Sequence, residues 1–431
     1  MLFVFLGVLF GGILVGIPIV FSMAIANLVM LNIMGFPVVS YAQKLFNGMD
    51  SFALLAVPFY MFVGEIMNRG GIAKRLMIFS DALVGHIKGG LGHVNILSSM
   101  FFGGISGSAI ADTAAIGGLL IPTMEEEGYE PAYSAAITAS SSVIGIIIPP
   151  SIPFILYGVT TSTSITRMFI GGIIPGILTG FILMGVTLLT VGKHKKDLNS
   201  GQKRYFSIKK VLFSFKDAWA ALIVPFIIVV GILAGVFTAT EAGVVAAIVA
   251  LILGMVVFRE LKIRDLPQFL FKTSKTTASV LFLCGNASVT AYLLTLAQVP
   301  QELAMMFSTI SDNPVVILIV ANILLLLVGF VMDITPAILI LGPVLLPVMT
   351  RFGIDPVFWG VIMCMNLGIG LITPPVGTVL FVASGVAGVK MEQLVKAIIP
   401  FFIGMVCLLV LLIAFPQLVT FLPDLLLPVV R

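Results

Sequence analysis

From Leu2 to Met34 the chain carries no charged side chain. A helix needs about 20 consecutive apolar residues to cross roughly 30 Å of hydrocarbon, and the runs Ala218 to Phe258 and Ile398 to Phe415 exceed or approach that length as well. Over all 431 residues, 59% are hydrophobic and 10% charged, against about 25% charged in soluble domains. Mean hydropathy is +1.20. A soluble protein is excluded, and the chain reads as an all-α polytopic membrane protein. Its start lacks the basic n-region of a cleavable signal peptide.

Placement of Lys and Arg sets the expected topology. Eight lie between Lys193 and Lys216 and five between Arg259 and Lys275. Both stretches are expected in the cytoplasm, with Ala218 to Phe258 as an up-and-down helix pair turning near Thr238. Counting crossings back from Lys193 puts Arg69, Lys74, Arg75 and Lys88 inside and the N-terminus in the periplasm. On that count 19 of the 23 Lys and Arg lie inside. It requires Leu2 to Asn32 to make two short crossings bent near Gly16 to Pro18. The net charge of +4 therefore belongs to loops beside membrane lipids, and no nucleic acid partner is expected. Cys284, Cys364 and Cys407 stand singly without metal-ligand or redox spacing and read as core residues. Glu125, Glu126, Glu127 and Glu130 read as a solvated loop.

Sliding the chain on itself by 225 positions superposes Gly104 on Gly329, Pro122 on Pro347, Gly128 on Gly353, Pro131 on Pro356, Gly145 on Gly370 and Pro175 on Pro400. Pro149-Pro150 falls on Pro374-Pro375. Composition alone predicts about one such coincidence, so the chain contains a duplication. The repeats are expected over 1–192 and 218–431, joined by a basic cytoplasmic linker at 193–217. Each would hold about five transmembrane helices and one re-entrant helical hairpin; an odd number of crossings inverts the second repeat, the pattern of secondary transporters. The hairpins, over 91–123 and 314–349, must leave and return on one side. Each arm then has about 15 residues and stops short of the far surface. The tips, Gly103 to Ser108 and Gly329 to Pro336, would lie inside the membrane, where irregular backbone survives only if buried in protein or lining a cavity.

A helix interrupted by two prolines follows each hairpin, over 132–160 and 357–385. Proline lacks an N–H and clashes with the carbonyl four residues back, so the helix must break. The carbonyls of Gly145 and Ile146, and of Gly370 and Leu371, lose their helical partners, and oxygens at a half-helix C-terminus suit a hard monovalent cation, Na⁺. The restarted half-helices, near Ser151 and Val376 to Thr378, aim positive dipole ends at the same region and favour an anionic substrate. Ser106, Ser108, Asp333 and Thr335 would supply further ligands from the tips. Asp112 is read either as an ionisable functional group in the membrane or as the cap of its hairpin's second arm. The serines Ser140 to Ser142 serve either the site or close helix packing. Ile72 to Lys88 reads as an amphipathic surface helix, with Arg259 to Lys275 as its counterpart.

The tip Gly103-Gly104-Ile105-Ser106-Gly107-Ser108 with Asp112, the later Ile148-Pro149-Pro150-Ser151 and the matching Thr373-Pro374-Pro375 resemble the large membrane subunit of tripartite ATP-independent periplasmic (TRAP) transporters. Essentially the whole chain is covered. The resemblance implies the ion-transporter fold, an elevator mechanism and Na⁺-coupled uptake across a bacterial inner membrane. It also implies two partners, a small four-helix membrane subunit and a periplasmic binding protein that delivers the substrate. Carried over by motif position, it implies one Na⁺ site at Ser106, Ser108, Gly145 and Pro149 and a second at Gly329, Asp333, Thr335, Gly370 and Thr373. An organic anion would lie between them, at Ser108, Ser141, Ser142, Ser151, Asn366, Thr373 and Thr378. The sialic-acid branch is the one the sequence resembles most, although C4-dicarboxylate carriers share nearly all these motifs. Chain length agrees with a large subunit not fused to its small partner.

Rival readings make different demands. Gly104-Ile105-Ser106-Gly107 matches a rhomboid-type protease motif, but that chemistry needs a histidine base within reach and leaves the second repeat unexplained. A channel also uses re-entrant hairpins, yet it usually repeats one filter motif around its axis. A non-transporting scaffold would be indifferent to Ser106 and Asp333.

Overall fold

The computed structural model describes residues 1–195, 205–374 and 377–427. Pro375, Val376, Arg431 and the middle of the expected linker lie outside the described residues. Among the described residues there are twenty α-helices, the all-α polytopic architecture expected. Six are long and apolar enough to span a membrane, or up to eight if two bent pairs each count as one span.

Element order follows the 225-residue register. The bent pair Val38–Met49 and Phe52–Arg69 corresponds to the continuous helix Leu266–Leu296, and Ile72–Val84 corresponds to Val299–Ile310. Next come the hairpins, Gly90–Ser106 with Ala109–Glu126 and Pro314–Gly329 with Ile334–Arg351. The interrupted helices are Pro131–Ser142 with Ile152–Thr161 and Pro356–Gly370 with Thr378–Ala387. Local chemistry starts and stops them: Gly107 ends one arm at φ +59°, Ser108 caps the next through Ala111 N (3.4 Å), and Asp355 caps Pro356–Gly370 through Phe358 N (2.8 Å).

Several expectations are corrected. Arg259 to Lys275 is not a surface helix matching Ile72–Val84. Pro267 opens a 31-residue helix, and nothing interrupts it before Gln298, at φ +57°; the true counterpart is Val299–Ile310. Glu125 and Glu126 remain helical, while Glu130 Oε2 lies 2.8 Å from His194 Nδ1, so this stretch docks on the end of Ile165–His194 instead of forming a free loop. Helices extend to His194 and resume at Ile208 on either side of the linker's middle. Cys407 is exposed, unlike Cys284 and Cys364. The first two helices have 13 and 15 residues, about 20 and 22 Å of rise, and turn at Gly16.

Glycine sets how closely hairpin and interrupted helix approach in each half. A methyl built on Gly103 would lie 2.5 Å from the Gly145 Cα, and one on Gly370 would lie 2.7 Å from the Gly329 Cα. The halves also interlock crosswise: Ile152–Thr161 packs on the second hairpin's Ile334–Arg351, and Thr378–Ala387 on the first hairpin's Ala109–Glu126. Tyr157 adds a hydrogen bond to the Pro356 carbonyl at 3.1 Å. Gly370→Ala pushes a methyl into backbone that cannot yield locally and is expected to destabilise the protein by about 1–3 kcal/mol, read as a lower Tm in detergent. Gly385→Ala, with nothing within 4 Å, should leave Tm unchanged or slightly raised; equal Tm values for the two variants would contradict this packing.

Candidate ion and substrate site

At the first tip, the Ser106 hydroxyl donates to Asp112 Oδ1 and accepts from the Ser108 backbone N–H at 3.2 Å. Ser108 is the cap, so the capping reading of Asp112 falls. The Asp112 side chain is fully buried, and its Oδ2 has no hydrogen-bond partner among the described residues. This oxygen faces the Gly145 backbone, where a methyl would collide with it. A buried carboxylate oxygen left unpaired is costly, which makes this corner fit for a small cation.

The helix breaks lie behind the tips. Before Pro149-Pro150, joined by a cis bond, the chain tightens into a 3₁₀ turn over Val143–Ile146. Of the four carbonyls expected to be orphaned, three find other donors. Ile146 accepts from the Ser151 hydroxyl (2.6 Å), Gly370 from Thr373 N (3.0 Å) and Leu371 from Val379 N (3.2 Å). Gly145 alone of the four accepts no hydrogen bond among the described residues. The prolines do remove the i+4 donors, but hydroxyls and tightened turns replace most of them. In the second half Asp333 caps its arm through Thr335 N (3.2 Å) and accepts from the Thr378 hydroxyl (3.3 Å).

Both tips open onto one cavity of about 470 Å³. Ser106, Ser108, Asp333 and Thr335 line it, as do Ile146 and Leu371 at the two helix breaks. Gly145, Pro149, Gly329, Gly370, Thr373, Ser151 and Thr378 stand outside its wall. Ser141, Ser142 and Asn366, expected at the substrate, lie further inside and are absent from the cavity lining. Ser141 Oγ is 2.9 Å from Ser99 Oγ and 3.1 Å from Asn95 Oδ1, Ser142 donates to the Ala139 carbonyl, and Asn366 Nδ2 donates to Asn322 Oδ1 at 2.7 Å. Ser141 and Asn366 are equivalent in the 225-residue register, and each pins an interrupted helix to its hairpin. Ser151 and Thr373 spend their hydroxyls on the carbonyls of Ile146 and Ile369.

Sequence reasoning missed the opposite wall, which comes from helices outside the hairpins: Gly64, Glu65 and Asn68 on Ala56–Arg69, and Lys272, Thr273 and Thr276 on Leu266–Leu296. A methyl built on Gly64 would lie 3.3 Å from the Ser106 Cα, so this wall meets the first tip directly. Glu65, the one carboxylate in the apolar stretch from Ala56 to Met67, was the available signal, since ionisable residues inside membrane spans are functional candidates.

The family model described as "Tripartite ATP-independent periplasmic transporter, DctM component" matches residues 6–418. The chain belongs to that family. It is 42% identical over 417 residues to the 2,3-diketo-L-gulonate TRAP transporter large permease protein YiaN of Escherichia coli K12, spanning 96% of this chain and 97% of that protein. With the sialic acid TRAP transporter large permease protein SiaM of Vibrio cholerae it shares 40% identity over 424 residues, 98% of each. The crystal structure of the Alcanivorax borkumensis YdaH transporter has a similar fold, with a TM-score of 0.62 over 86% of each chain at 15% identity. As a TRAP large permease, the chain is a transporter component and not an enzyme.

Because Ser141 braces the permease internally, Ser141→Ala is expected to cost about 1–3 kcal/mol of stability by leaving buried partners unmet. Its KM for transported anion should stay within about twofold. A large rise in KM at unchanged Tm would return Ser141 to the substrate site.

Proposed function

We propose that this TRAP large permease couples Na⁺ entry to the uptake of a small organic anion by an elevator movement, with the sialic acid N-acetylneuraminate favoured over a C4-dicarboxylate. One observation carries the reading: hairpin tips from both repeats converge on a single cavity that also reaches both helix breaks. A first Na⁺ would be held near the unpartnered Asp112 Oδ2, the Gly145 carbonyl and the Ser106 hydroxyl. The second would sit near Asp333, Thr335 and Thr378. The half-helices that restart at Ile152 and Thr378 add positive dipole ends suited to an anion. Crosswise packing of the repeats supports movement of hairpins and interrupted helices as one body.

Among the cavity-lining residues, Lys272 carries the one positive side-chain charge, and Asn68, Thr273, Thr276, Ser106 and Ser108 line the same cavity. Such a wall suits one carboxylate on a hydroxyl-rich body better than two carboxylates. Family membership implies a small four-helix membrane subunit, a periplasmic binding protein and the inner membrane; the N-terminus is assigned to the periplasm from the Lys and Arg distribution.

Proteoliposomes holding the complete complex, under an inward Na⁺ gradient, test this reading. N-acetylneuraminate and succinate would be compared, with and without the binding protein. Saturable, Na⁺-dependent uptake is expected, whereas ohmic single-channel current would indicate a channel. Asp333→Ala should abolish uptake while insertion and assembly persist; activity within about twofold of wild type, a difference of under 0.5 kcal/mol, would remove Asp333 from the sodium site.

A further inference from the structure

The cavity wall opposite the hairpin tips carries an ion pair whose geometry suits exchange more than stapling. Lys272 Nζ lies 2.6 Å from Glu65 Oε2, and Arg69 Nε lies 3.8 Å from the other carboxylate oxygen. The Lys272 side chain is 62% exposed and that of Glu65 only 13%. Arg69 itself is kept in place by Gln268 Oε1 (3.4 Å) and by the Phe269 ring, 5.6 Å from its guanidinium carbon.

Resting on the transport reading above, we propose that Lys272 is the counter-ion for the substrate's carboxylate and that Glu65 holds the lysine in place until the anion arrives. A solvent-exposed ammonium gives up such a partner at little cost, because water screens the pair. The less exposed Glu65 would be expensive to strand. Arg69 removes that cost: when Lys272 turns to the incoming carboxylate, Glu65 retains a second cation on its own helix. Helical spacing supports the arrangement, since Glu65 with Asn68 and Lys272 with Thr276 stand one turn apart on facing helices. The asparagine and threonine are therefore beside the carboxylate site, where the hydroxyls of a sugar acid would need partners. One carboxylate replaces another at the lysine, while Glu65 stays beside Arg69.

A purely structural staple predicts that losing either partner has the same consequence. Exchange predicts a rise in KM for loss of the lysine alone. In Na⁺-driven uptake of N-acetylneuraminate by the complete complex, Lys272→Gln is expected to raise KM by roughly tenfold or more, the scale of a lost charge-assisted hydrogen bond. Lys272→Arg should largely restore it. Glu65→Gln, which removes the competitor, should lower KM or leave it unchanged. Equal increases in KM for Lys272→Gln and Glu65→Gln, or a KM for Lys272→Gln close to wild type, would overturn the proposal.

A second measurement does not depend on turnover or on the transport reading. N-acetylneuraminate or succinate should raise the Tm of the purified wild-type complex of the permease with its small membrane subunit, through ligand binding to the folded state, more than the neutral N-acetylmannosamine does. That difference should vanish in Lys272→Gln, whose Tm without anion also reports whether the variant folds. A wild-type complex stabilised by neither anion, or a difference undiminished in Lys272→Gln, counts against the assignment. A wild type that binds anion but transports none would instead sink the coupled-transport reading.

Discussion

Backbone that leaves the helix inside a membrane must be covered by protein, because hydrocarbon offers no hydrogen bonds. Among the described residues, two hairpin tips and two helix breaks leave the helix in this way, and in each half the permease brings one against the other. Gly103 against Gly145 and Gly329 against Gly370 bring main chain to main chain, a distance no larger residue allows. Each break shelters behind a tip, and polar groups that would be liabilities in lipid face one another instead.

Function grows from the same contact. Closing tip on break brings the Ser106 hydroxyl and the Asp112 carboxylate against the Gly145 backbone in one corner, and Asp333 toward Thr335 and Thr378 in the other half. Because each restarted half-helix also packs on the opposite hairpin, the two corners belong to one body. That body faces a wall made of Ala56–Arg69 and Leu266–Leu296. A cavity shared between a two-fold-repeated body and a wall of different composition suits the alternating access proposed above, in which the ion sites would travel with the body while the wall would meet the substrate in some positions and not in others.

The duplication was legible because prolines and glycines act locally. Pro149-Pro150 breaks a helix wherever it stands, and the register that pairs Pro131 with Pro356 also pairs whole elements. The place of Ser106, Ser108, Asp333 and Thr335 on the cavity follows from the same breaks, since the residues that start and stop the arms of a hairpin stand at its tip. The fate of the freed carbonyls was not legible. Whether Ser151 bonds the Ile146 carbonyl, or Val379 N the Leu371 carbonyl, depends on how the chain returns after the break. Ser141 and Asn366 looked like ligands because they stand beside the prolines, yet their partners, Asn95, Ser99 and Asn322, lie more than forty positions earlier and no local pattern predicts them. Lys272 escaped notice because it was counted among the cytoplasmic charges, and its place at the head of a 31-residue helix appears only in three dimensions.

The central claim is that both tips attend one binding event. Its most direct measurement is thiol labelling of Ser108→Cys and Thr335→Cys, each in a background where the exposed Cys407 is replaced by serine. The account predicts that Na⁺ together with the transported anion protects both positions in parallel, over the same concentration range. Protection of one position with the other untouched would mean that the tips serve separate sites, and would contradict it.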